Sequence, residues 1–176
     1  MCRNMKLRIV RHGFTMIELM VVVAIIAIAA AIVVPMASSA GSMQLRAAVT
    51  MVAADLEYAK SMSISRGQRY SIVFNSTTES YRIADENGTT ISHPIKGPSF
   101  PYVVDFRNDS RLNHVEIVSA DFDDASAVGF DYLGIPYSVT GSPAALLEPG
   151  VITLQAGTAT RTISVEPVTG YISISN

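Results

Sequence analysis

One carboxylate stands alone in a long apolar run. From Phe14 to Val34 the only ionisable residue is Glu18, and Leu19 to Val34 carries no charge at all. Placing a charge inside a bilayer costs about 2.5–3.5 kcal/mol on insertion scales, so an acid in such a segment is a functional candidate with a partner to find. A glycine, Gly13, lies five residues before it. Elsewhere the residue types that do chemistry are scattered. His93 and His114 lack metal-ligand spacing and read as ordinary sheet or surface histidines. Asp121-Phe122-Asp123-Asp124 alternates carboxylates as a Ca²⁺ loop does, but it lacks the glycine and distal glutamate of an EF-hand and reads as a solvated acidic loop. There is no Gly-x-Ser-x-Gly elbow, no Ser-x-x-Lys and no phosphate loop. The sequence therefore predicts neither catalysis nor a cofactor nor a metal site.

The apolar run sets the architecture around Glu18. Phe14 to Val34 is 21 residues, about 31 Å as a helix, and a bilayer's hydrocarbon core is about 30 Å thick. Arg3, Lys6, Arg8 and Arg11 precede it with no acid among them, which predicts a cytoplasmic N-terminus and an exported remainder. The single cysteine, Cys2, lies in the basic leader, so the exported part has neither a disulfide nor a thiol. Without the four leader cations, nine Lys and Arg face fifteen Asp and Glu, a balance of −6 that repels nucleic acid. Arg66 with Arg69, and Arg107 with Arg111, are pairs among polar residues, and Arg161 is isolated. None forms a basic run interleaved with stacking aromatics.

Gly13-Phe14-Thr15-Met16-Ile17-Glu18-Leu19 resembles the class III signal of type IV prepilins and type II secretion pseudopilins. A secretory signal would place its small-residue cleavage site after the apolar run, whereas here the glycine comes first. The resemblance implies cleavage by a prepilin peptidase between Gly13 and Phe14, methylation of the new Phe14 amine, and a mature chain of 163 residues. It also implies that Glu18 occupies the family's fifth mature position and Pro35 its twenty-second. The chemistry is coherent. Glycine lets a peptidase approach the backbone closely. The freed amine is a cation that Glu18 of a neighbouring subunit could meet, and such a pair in low dielectric would fix axial register. Pro35 lacks an N–H and clashes one turn back, which predicts a kink or local melting near Ile32–Pro35.

Beyond the run, Leu45, Val49, Val52, Leu56 and Ala59 recur at spacings of 4, 3, 4 and 3, one helical face, with Arg46, Thr50, Asp55, Glu57 and Lys60 mostly off it. Gly67 reads as the C-cap of a helix beginning near Phe14, with Gly41 and Ser42 as a local weak point. The period then changes to 2. Strands are expected over Tyr70–Phe74, Ser80–Ala84, Thr89–His93, Tyr102–Phe106, His114–Ser119, Ala127–Tyr132, Val151–Gln155, Arg161–Glu166 and Tyr171–Ser175. Pro167-Val168-Thr169-Gly170 reads as a turn, and Gly134–Pro149 as a loop. The expected fold is α+β: a long N-terminal helix packed on an antiparallel sheet or a two-sheet domain. Its parts are a leader (1–13), a transmembrane or filament-core helix (14–35), an amphipathic helix (36–67) and a β-rich exported domain (68–176). Leu56-Glu57-Tyr58-Ala59-Lys60, Ser65-Arg66-Gly67-Gln68 and the closing strands resemble the H-type minor pseudopilin and its minor-pilin relatives. Those relatives often carry Arg where this chain has Tyr171.

The reading is thus a non-enzymatic subunit of a type II secretion pseudopilus or a type IV pilus. The implied partners are other pilin-type subunits, the prepilin peptidase, an inner-membrane assembly platform and the inner membrane. Two rivals are a DNA-binding minor pilin working through Arg66 and Arg69, and a binding module on an uncleaved anchor.

Overall fold

The computed structural model describes residues 15–139 and 144–175, leaving the side chains of 31–40 aside. One helix, α1 (Met16–Arg66), is followed by twelve short strands. The chain divides into two compact units at Ala37/Ser38. The first unit, in its described part, is helix alone. Thr15 caps it: the Glu18 N–H donates to Thr15 Oγ1 at 3.3 Å, and Leu19 N–H donates to the Thr15 carbonyl at 3.1 Å. Its apolar side chains lie in the open, Met16 at 82% exposure and Ile28 at 65%. Among the described residues no helix is long and apolar enough to cross a membrane. The apolar stretch described with its side chains is Thr15 to Ala30, whereas a spanning helix needs about 20 residues. Helix is continuous through Pro35 and through the weak point at Gly41–Ser42. The Pro35 side chain lies outside the described residues.

In the second unit the 3.6-residue repeat does what its spacing predicts. Leu45, Ala48, Val49, Val52, Leu56, Ala59 and Met62 are buried in one cluster with the strands. Gly67, at φ 63°, ends the helix in the left-handed region that a Cβ disfavours. All strand pairs are antiparallel. A six-stranded sheet runs β5-β2-β1-β7-β8-β9, from β1 (Tyr70–Asn75), β2 (Ser80–Asp85), β5 (Val103–Asp105), β7 (Ala127–Phe130), β8 (Pro136–Ser138) and β9 (Ala144–Ala145). Its register sets Ile72 against both Ile83 and Val128. A four-stranded sheet runs β12-β11-β10-β6, from β6 (Glu116–Asp121), β10 (Gly150–Ala156), β11 (Ala159–Val165) and β12 (Ile172–Ser175). β10 alternates strictly, with Ile152 and Leu154 inward, and shifts register against β6 between Thr153 and Leu154. β3 (Ser92–His93) and β4 (Gly97–Pro101) form a separate hairpin. The architecture is α+β, a helix packed on antiparallel sheets.

Two expectations fail locally. Gly134–Pro149 is not all loop, because β8 pairs with β7 there and β9 adds a two-residue edge strand beyond it. Thr89–His93 shortens to Ser92–His93, with Thr90 making only a bridge to Ala84, and its partner is the Pro-flanked Gly97–Pro101.

Two side chains tie the layers. Lys60 Nζ donates to the carbonyls of Thr169 and Gly170 at 3.2 and 2.8 Å, joining α1 to the β11–β12 turn. In that turn Gly170 sits at φ 57°, where a Cβ would fall 2.7 Å from the Gly134 carbonyl, and Val168 is held at φ 65°. The Glu79 carboxylate accepts from the Ile117 N–H, linking the β1–β2 turn to β6 of the other sheet.

Candidate functional site

The site expected from sequence lies at the start of α1. Gly13 and Phe14 fall outside the described residues. The helix begins at Met16, immediately after its Thr15 cap. Glu18 is then the third helical residue, and Thr15-x-x-Glu18 has the spacing of a capping box. Its carboxylate is exposed in the first turn, near the positive pole of the helix, and no cation meets it among the described residues. Around it Ile17, Leu19, Met20 and Val21 are between 51% and 70% exposed. Apolar surface of this extent on every face of a helix has to be covered by lipid or by other helices.

A second polar centre was not anticipated. Asp55, expected off the apolar face, belongs to it: it is 8% exposed, on the same stripe as Val52, Leu56 and Ala59. Tyr81 on β2 donates its hydroxyl to Asp55 Oδ2 at 2.6 Å, and Tyr102, between β4 and β5, donates to Oδ1 at 2.7 Å. Burial raises the Asp55 pKa above its usual value, and the two phenol hydrogen bonds and His93 oppose that rise. Both phenols are pushed up in turn, first by burial and then by the adjacent carboxylate. Tyr102 is stacked between His93, with centroids 4.7 Å apart, and Tyr58, 5.8 Å away. With both oxygens engaged by phenols, Asp55 fastens the helix to the sheet. The cluster borders an open groove of about 640 Å³ lined by His93, Lys96, Tyr102, Asp105 and Arg111 among others. The two phenols are 26 and 47 residues from Asp55 in sequence. The one signal available was an acid on an otherwise apolar helical face.

The remaining candidates fall into structural roles. The Asp121 carboxylate accepts from Asp124 N–H, and Asp123 accepts from Leu147 and Glu148 N–H, so this acidic loop spends its oxygens on backbone. Among the described residues no group of three His, Cys, Asp or Glu could hold a metal ion. His114 donates its N–H to Gln44 Oε1, across to α1. Arg66 lies over the Tyr70 ring and Arg69 over the Tyr137 ring, so the two cations rest on the protein's own aromatics. Arg111 pairs with Asp109, at 2.6 Å.

Leader and fold each have counterparts. Residues 9–34 match the prokaryotic N-terminal methylation motif. No curated protein sequence matches the chain significantly. Among solved structures the fold is similar to that of the minor pseudopilin EpsH from the type 2 secretion system of Vibrio cholerae. That likeness has a TM-score of 0.54 at 8% identity and covers 75% of this chain and 96% of that one. The type IV minor pilin FimU of Pseudomonas aeruginosa PAO1 is similar at a TM-score of 0.48 and 16% identity, over 75% of this chain and 88% of that one. The motif's residues run into α1, the helix that packs on the antiparallel sheets. The chain thus carries the prokaryotic N-terminal methylation motif, and its fold is similar to that of a minor pseudopilin.

Proposed function

We propose that this chain is a structural, non-enzymatic subunit, a minor pseudopilin or minor pilin, made as an inner-membrane precursor with its N-terminus in the cytoplasm. A prepilin peptidase cuts between Gly13 and Phe14, and the Phe14 amine is methylated. The apolar helix over residues 14–35, bent at Pro35, then leaves the bilayer for a filament core of pilin-type subunits on an assembly platform. Glu18 sets its register there by pairing with the amine of a neighbour. The observation that carries this reading is the leader motif joined to a helix whose apolar side chains lie exposed from Met16 to Ile28.

Intact-mass measurement of the membrane-extracted protein tests it. The expected species lacks Met1–Gly13 and carries one added methyl group. Retention of the leader would leave an anchored module and remove the filament reading. In the same cells Glu18→Ala should leave cleavage largely intact and lower incorporation into filaments. Unchanged incorporation would remove the register role alone.

A further inference from the structure

The β3–β4 hairpin is closed by one imidazole. His93 pairs with Gly97 across Pro94-Ile95-Lys96, and the N–H groups of Ile95 and Lys96 both donate to His93 Nδ1, at 3.2 and 3.3 Å. Two donors aimed at one ring nitrogen require a lone pair there, so the neutral ring carries its proton on Nε2. Little else holds the loop. The hairpin has two pairings with a register shift between them, plus a Ser92 hydroxyl donating to the Pro98 carbonyl at 3.1 Å. Ile95 at its tip is 89% exposed and Phe100 is 55% exposed. The ring, by contrast, is anchored independently of the loop. It stacks on Tyr102 at an interplanar angle of 11°, and Tyr102 is tied to Asp55.

The charged and titratable groups facing the ring come from three sides. From α1, Asp55 attracts a positive imidazole. Tyr102 presents its ring face, with Tyr58 stacked beyond it. Lys96 stands in the hairpin loop itself, and across the groove are Asp105, Asp109 and Arg111. The Asn108 side chain holds Asp105 below the usual carboxylate range, and Arg111 holds Asp109 at about 2. Both acids therefore keep their charge while a histidine titrates. The surroundings accept an imidazolium, and the stack on Tyr102 survives it as a cation–π contact. What does not survive is the loop, because the added proton lands on Nδ1.

We propose that His93 is a pH-operated latch: protonation at Nδ1 expels the Ile95 and Lys96 amides and frees residues 94–96 at the rim of the Asp55 groove, while the ring stays on Tyr102. Acid then loosens one apolar tip without loosening the core. The test is ¹⁵N NMR of the full chain in detergent micelles from pH 8 to pH 5. The Ile95 and Lys96 amides should shift with the midpoint of the His93 ring protons, and their order parameters should fall from about 0.85 to below about 0.6. Asn accepts the same two N–H groups at any pH, so His93→Asn should keep the loop ordered and abolish the response. His93→Phe keeps the ring stack without an acceptor and should leave the loop mobile at both ends of the range. A His93 titration that leaves the Ile95 and Lys96 signals unmoved would overturn the latch, as would a pH response that persists in His93→Asn.

Discussion

The two ends of α1 obey the same backbone geometry and opposite rules of burial. Between Met16 and Ala30 every described side chain is exposed, although nearly all are apolar. Between Leu45 and Met62 the apolar residues keep one face, and that face is buried. A helix that is apolar all round has no inside of its own, so its solvent must be lipid or other helices. A helix with a stripe finds its partner within the chain. The lone acid of each region follows the same logic. Glu18 is exposed, and no cation meets it among the described residues. Asp55 is buried and satisfied by two hydroxyls of its own domain.

Substitutions that act on one region and spare the other sharpen this contrast. The largest effect is expected at Gly13. On the proposed processing, Gly13→Val places a branched side chain where a peptidase would have to reach the backbone, and the cleaved fraction should fall to near zero by immunoblot, with the domain's thermal midpoint unchanged. Processing that continued in this variant would break the division of labour. Leu56→Ala should do the reverse. It empties a fully buried site on the striped half and should cost about 2–5 kcal/mol in denaturant unfolding, with cleavage intact. Smaller is the strain at Val168, a β-branched residue at φ 65° and 71% exposed. Val168→Gly should gain up to about 1 kcal/mol, and a loss instead would show that the side chain makes a contact outweighing the strain.

The finest test concerns pH. Burial raises the Asp55 pKa, so between the ordinary aspartate value of 3.8 and the raised folded value the native state holds more protons than the unfolded one. From this group stability therefore falls as pH rises through that window. In Asp55→Asn the decline should vanish, read as thermal midpoints of the two proteins across pH 3.5 to 7. Parallel curves would mean that the phenol hydrogen bonds cancel desolvation, and a rise with pH that they outweigh it.

The helix and its C-terminal stop were legible in the sequence because they rest on local rules: a 3.6-residue repeat and Gly67 after it. β1, β2, β10 and β11 were legible for the same reason, each alternating between clear turns. β4, β8 and β9 were not, because proline and glycine mark turns in a local reading, Pro98 and Pro101 lie in β4 and Pro136 in β8, and β9 is only two residues long. The Asp55 cluster was hidden for a different reason. Its members are drawn together by sheet pairing over dozens of residues, and a lone aspartate gives no address for its partners. The leader stood out because its residues act on the chain in sequence order, where spacing alone carries the information.

The way α1 is seated also has a mechanical side. Seven buried apolar side chains between Leu45 and Met62, reinforced by Lys60 at the far turn, are spread along roughly 26 Å of helix axis. A pull along that axis strains them all at once, as in a lap joint, instead of peeling them one by one. Tension entering through the helix is thus shared across the whole seam before any single strand has to yield.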